Sequence, residues 1–512
     1  MEGELTSRRG LLKRGAAVSL GGAIDFGVSS NPFRTAGSGL AADYWQYDGH
    51  GLAELIAKRK ISPIELLNAV HTRVGVLNPK INAICNQCFD KAEAQIKQGL
   101  AEGPFKGVPF VLKDLGHQLA GTVTSFSSRL FNDQKADFDS TLVTRYKQSG
   151  LVICGKTNTP EFGLAPTTEP VLFGKTHNPW NLELTPGGSS GGAAAAVASR
   201  ILPMAHATDG GGSIRIPASC CGVFGFKPTR GRVPMGPTQF EGWNGLSAQH
   251  ALTISVRDSA ALLDISAGPE LGAPYWAPPP QRRFLEEIGK DPGKLRIALV
   301  LTPPSGVPLH PECKNAAAEA AKLCESLGHS VEEATLPVDG AALDAARTII
   351  AGVSIARTLE DCAKRIGRPV SETDVEPVTW MYSQTGLKTG SVAYSRAIAS
   401  CHQFGLAMAK FQQRYDVILS PTLAKPPVRL GLLSPLPEGV GDFLKERRMF
   451  TPFTALYNTT GQPSMSVPLY WSADGLPIGV MFSGRFGEDG TLFRLASQLE
   501  RAKPWAGRRP NV

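Results

Sequence analysis

The sequence predicts an α/β fold, strands alternating with helices in layers around one core, and three observations carry that reading. Short apolar runs of strand length occur at 108–112 and 151–154. Apolar residues recur at helical spacing elsewhere, as at Leu66, Leu67, Val70, Val74 and Leu77. The 512 residues are 42% hydrophobic and 19% charged, which suits a globular chain and excludes a disordered or fibrous one.

The elements follow in order. Arg8 and Arg9, a small-residue stretch over 15–30 and alanines near 41 predict a twin-arginine export signal over residues 1–41. That leader implies a periplasmic protein, and a cytoplasmic one if it does not act. Ser62-Pro63-Ile64-Glu65 is a capping box with proline at the first helical position, so a helix starts there. The runs at 108–112 and 151–154 read as buried strands. A helix over 193–201 opens directly from the glycine run at 187–192. Beyond Pro278-Pro279-Pro280, residues 313–415 read mainly as alanine-rich helices. The 280–440 region is accordingly expected to be a helix-rich segment that shapes a pocket within a domain spanning 42–512. Later strands are expected at 417–419, 464–469 and 478–482.

The net charge is +8, but no five basic residues run together, so a nucleic-acid partner is not expected. No run of 18 apolar residues occurs, which excludes a polytopic membrane protein, and no stable membrane association is expected. Nine irregularly spaced cysteines give no disulfide framework and predict free thiols. Cys85-x-x-Cys88 has no second pair at zinc spacing and no H-E-x-x-H occurs, so no metal is expected.

Three glycine or serine motifs compete for the chemistry. Residues 150–157 match G-x-x-x-x-G-K-[ST], yet here the segment between the glycines is itself the strand, and Pro160 would disrupt the phosphate-binding helix. Residues 187–191 match G-x-S-x-G, but Pro186 spoils the strand that should lead in, and no histidine follows His402. The third is Asp209-Gly210-Gly211-Gly212-Ser213-Ile214-Arg215, where glycines free the backbone to aim N–H groups at one point beside a serine.

Taken together, these segments resemble the amidase signature family. The matching pieces are 106–114, 155–163, 187–192 and 209–217, with Gly461-Gln462-Pro463-Ser464 and 474–480 later, in the family's order across about residues 45–510. The resemblance implies one domain with a central mixed β-sheet flanked by helices. It implies a Ser213 nucleophile, a Ser189 proton relay held on a cis peptide, and a Lys113 base. It places the oxyanion hole on the N–H groups of Gly210, Gly211, Gly212 and Ser213, and leaves Ser190, Asp209 and Arg215 in support.

Each role has a physical requirement. A serine hydroxyl needs a neighbour to take its proton, and lysine, with a reference pKa of about 10.4, can do so only where burial or positive charge lowers that value. An ordinary pairing of Lys113 with Asp114 at a strand end is the alternative. The implied reaction is hydrolysis of small linear or cyclic carboxamides, aminohexanoate-type amides among them, through an acyl-enzyme and without a cofactor. The substrate is then the only partner expected, and a homodimer is left open. A peptide amidase, an acyltransferase or an esterase on this scaffold is the nearest alternative. A subunit that amidates tRNA-bound residues is disfavoured by the leader and by the absence of a basic cluster.

Overall fold

The computed structural model describes residues 39–434 and 440–512. The twin-arginine motif and the expected leader to residue 38 lie outside the described residues.

Helix α1 (Pro63–Ile81) shows how local chemistry sets the frame. Glu65 N–H donates to Ser62 Oγ at 3.3 Å and Ser62 N–H to Glu65 Oε2 at 2.8 Å, so the capping box is closed. Its apolar stripe, from Leu66 to Leu77, is buried. Strands β1 (Ile84–Gln87), β2 (Pro109–Lys113) and β3 (Val152–Thr157) form a three-stranded sheet with β3 in the centre, antiparallel to β1 and parallel to β2. Every residue of β2 and β3 is buried, the signature of strands covered on both faces. The 150–157 motif is therefore a core strand. At Gly150, with φ of +86°, a Cβ would fall 2.5 Å from the Cα of Lys106, so close backbone packing requires this glycine.

Helix α2 (Gly191–Ala198) begins two residues before the expected start and ends three before the expected end; Arg200, with φ of +59°, turns the chain away. Eight strands build the larger sheet: β4 (Met204–Asp209), β5 (Phe224–Lys227), β6 (Ala248–Thr253), β7 (Arg296–Leu299), β8 (Ser330–Glu333), β9 (Val417–Pro421), β10 (Ser464–Trp471) and β11 (Pro477–Gly484). Their spatial order is β4-β6-β5-β10-β11-β9-β7-β8, antiparallel as far as β9 and parallel beyond it. The sheet is mixed. Helix α3 (Arg215–Cys221) is wholly buried.

The helix-rich 280–440 region holds α4 (Gly340–Ile366), α5 (Pro377–Leu387) and α6 (Ser391–Phe411), and it also supplies β7, β8 and β9 to the large sheet. Two further helices matter for the site, α7 (Val440–Phe450) and α8 (Ala455–Thr460). Among the described residues no helix is long and apolar enough to cross a membrane. All nine cysteines are unpaired.

Candidate active site

Lys113 is the last residue of β2, and its side chain is fully buried. Its Nζ lies 2.6 Å from Ser189 Oγ, 2.9 Å from Thr208 Oγ1 and 3.0 Å from Ser190 Oγ. No carboxylate is within ion-pairing distance of it among the described residues. Burial holds its pKa well below the ordinary lysine value, opposed only by the more distant charge of Asp209. Asp114 is not its partner: that carboxylate accepts the Ser125 N–H and hydroxyl instead. The strand-end ion pair considered from the sequence is absent.

The hydroxyls around Nζ can be ordered by their protons. Ser190 Oγ donates to Thr208 O at 3.2 Å, so toward Lys113 it acts as an acceptor. An uncharged amine has two N–H bonds and one lone pair. Two of the three hydroxyls can thus receive its protons while the third donates to it, and Ser189, the nearest, is placed to do so. The Gly188–Ser189 peptide is cis. Ser190 holds the N-cap position of α2 without a side-chain capping bond, its hydroxyl meeting Lys113 instead.

Asp209 ends β4 and governs the loop that follows. Its Oδ1 accepts from Gly212 N–H at 2.7 Å and its Oδ2 from Ile214 N–H at 3.1 Å. Arg215, the first residue of α3, clasps the same carboxylate through Nε at 3.0 Å and Nη2 at 2.9 Å, both residues being fully buried. Burial pushes the Asp209 pKa up, but the Arg215 charge and the bonds from Arg215 and Asn458 outweigh it and hold the group well below the carboxylate range. This buried bidentate pair fixes the loop's shape.

One expectation changes here. The Gly212 N–H, one of the four expected oxyanion donors, donates to Asp209 instead. Gly212 has φ of +131°, and a Cβ there would sit 2.3 Å from Thr454 Oγ1.

Ser213 lies at the tip of this loop, 9% exposed, on the wall of a cleft of about 940 Å³ including its open mouth. Gly163 lines the same cleft, and its Cα abuts Ser189, a Cβ there falling 3.1 Å from Ser189 Oγ. Ser189 and Ser213 make no direct hydrogen bond, so the chain of contacts is closed from Lys113 to Ser189 and open from Ser189 to Ser213. Catalytic hydrogen bonds are often loose before substrate binds.

Four polar residues that sequence reasoning missed complete the surroundings. Thr208 is the third hydroxyl on Lys113. Asn458 of α8 donates to the Asp209 main-chain O at 2.7 Å and its Oδ1 at 2.8 Å. Thr454 Oγ1 donates to Gly211 O at 2.6 Å. Arg347 of α4 donates from Nη2 to Gly210 O at 2.9 Å, and that nitrogen is where a Cβ on Gly211 would come within 2.8 Å. Only Thr208 had a signal, its place one residue before the glycine loop.

A sequence profile of the Amidase family matches residues 65–493. This chain belongs to the amidase family. It is 40% identical over 489 residues, 92% of this chain and 97% of the other, to the 6-aminohexanoate-cyclic-dimer hydrolase of Paenarthrobacter ureafaciens. Among solved structures it is similar to a 6-aminohexanoate cyclic dimer hydrolase complexed with substrate, with 37% identity, a TM-score of 0.86 and coverage of 91% and 99%. It is also similar to a bacterial aryl acylamidase of the amidase signature enzymes, with 27% identity, a TM-score of 0.81 and coverage of 90% and 99%. The chain is therefore an amidase, a hydrolase of carbon–nitrogen bonds, on the mixed α/β scaffold of its family.

Proposed function

We propose that this amidase hydrolyses small linear or cyclic carboxamides, of the 6-aminohexanoate type, through an acyl-enzyme on Ser213. The observation that carries the reading is the 2.6 Å contact between a fully buried Lys113 without a carboxylate partner and Ser189. As Ser213 Oγ attacks the amide carbon, its proton passes to Ser189, whose own proton goes to the Lys113 lone pair. Negative charge gathers on the carbonyl oxygen, where the N–H groups of Gly210, Gly211 and Ser213 receive it. The carbon–nitrogen bond then breaks, and the leaving amine takes a proton back along the same path. Water repeats the attack, with Lys113 again as base, and frees the acid. No cofactor enters these steps. Ser190 and Thr208 hold the amine, and Asp209 with Arg215 holds the loop.

The test is hydrolysis of an amide panel, the 6-aminohexanoate cyclic dimer included, by the wild-type chain and Ser213→Ala. Turnover by the wild type and background rates in the variant are expected; full activity in the variant would overturn the nucleophile. Added hydroxylamine distinguishes hydrolysis from acyl transfer. Export by the twin-arginine leader belongs to the same proposal, and sequencing the periplasmic form should find a start near residue 42, an intact Met1 there counting against cleavage.

A further inference from the structure

The cleft beside Ser213 is lined by three arginines, Arg347, Arg447 and Arg448, against a single acid, Asp344. Arg448 and Asp344 satisfy each other at the exposed rim, 3.1 Å apart. The other two guanidinium groups, both half-buried, make no ion pair within 4 Å among the described residues and share only the more distant charge of Asp344. Arg347 spends its donors on neutral oxygens, Ala455 O at 3.0 Å and Gly210 O at 2.9 Å. Arg447 donates to the Tyr382 hydroxyl at 2.6 Å. A guanidinium carries five N–H donors, so both retain unused ones. Three cations share one carboxylate, so the cleft carries excess positive charge that an anionic ligand would offset. Arg347 meets the nucleophile loop directly at Gly210, and Leu164, Ile216, Trp243, Leu343 and Ala351 give the same cleft apolar surface. Methylene groups suit the apolar surface and a carboxylate suits the two guanidinium groups.

We propose that Arg347 and Arg447 receive a substrate carboxylate, so that this amidase prefers linear amides carrying a free acid at the end of an alkyl chain over neutral amides of the same length. The inference rests on the amidase reading of the Ser213 cleft and narrows it to an anionic substrate class. An acid-bearing chain offsets the excess positive charge, whereas a neutral isostere does not, and that difference is what discriminates.

Binding and turnover separate the two claims. In Ser213→Ala, calorimetric binding of 6-acetamidohexanoate is expected to be at least about tenfold tighter than that of 6-acetamidohexan-1-ol, since a charge-assisted pair replaces a neutral contact. Equal or weaker binding of the acid would overturn the inference. Adding Arg447→Gln should erase most of the acid's advantage and Arg447→Lys should keep part of it; an unchanged ratio in the glutamine variant would overturn the role of Arg447. If that variant does not fold, the acid-to-alcohol ratio with both arginines intact decides alone. Acid-selective binding by a chain that hydrolyses no amide would sink the amidase reading and leave the carboxylate site standing. Turnover of acid and alcohol without discrimination would do the reverse.

Discussion

Two lysines sit on neighbouring strands, one residue apart in register, and have opposite lives. Leu112 of β2 pairs with Lys156 of β3, and Lys113 pairs with Thr157, so the two side chains leave the sheet on opposite faces. Both are buried, and burial lowers both pKa values. Lys156 hydrogen-bonds to the Thr124 hydroxyl and feels the charge of Asp114, which favours its proton. Lys113 meets three hydroxyls, and the nearest acid that acts on it, Asp209, is already saturated by Arg215. Burial alone therefore does not make a base. What separates the two is whether a counterion is left to hold the proton.

The largest expected effect tests that contrast directly. Lys113→Ala should lower kcat/KM by about 10⁴-fold or more, because the serine loses its proton acceptor, while Lys156→Met should cost less than about tenfold. Steady-state kinetics on one amide checks both, and comparable losses would erase the distinction. Next comes the acid that Lys113 cannot claim. Asp209→Ala leaves Arg215 buried without its carboxylate and should destabilise the fold by about 3–5 kcal/mol, read from urea denaturation. An unchanged midpoint would mean that the pair does not hold the loop. Lys156→Met removes a charge opposite Asp114 and should cost about 1–3 kcal/mol, a loss of stability without the loss of activity. Ser190→Ala, which removes one of the two hydroxyls that accept from Lys113, should lower kcat by roughly tenfold and leave KM nearly unchanged.

The pH dependence has a definite sign. Lys113 is active when unprotonated, so kcat/KM should rise with pH through its depressed pKa and level off well below the ordinary lysine value. Stability runs the same way. Below about pH 10.4 the unfolded chain holds this proton, and above the depressed value the folded chain does not. In that window the unfolded state binds more protons, and stability increases with pH. Asp209 acts at the other end: its carboxylate stabilises the fold above the unfolded value near 3.9, and that contribution is lost as pH falls through its lower folded value.

What the sequence made legible follows the range of the interactions. Helix α1 was readable because its capping box closes within four residues and its stripe repeats every turn. Strands β2 and β3 were readable as apolar runs. Strand β8, Ser-Val-Glu-Glu, was not, because it is a short, largely solvent-facing edge strand with no apolar face. The serine and lysine positions became legible only through the ordered motifs of the family resemblance, since a lone lysine after an apolar run reads equally well as a strand end. Asn458, Thr454 and Arg347 were invisible because they reach the glycine loop from helices and turns more than 130 residues away, and no local pattern marks a side chain that bonds to a distant carbonyl. The commitment of the Gly212 N–H to Asp209 was hidden for a related reason: spacing permits the bond but does not select it among four adjacent donors.

The most direct test is the charge on Lys113 itself. With ¹³Cε-labelled lysine, and the resonance assigned by its loss in Lys113→Arg, NMR titration should show the amine losing its proton at a pH well below that of the surface lysines. A resonance that stays in its ammonium position up to pH 10 would contradict the account.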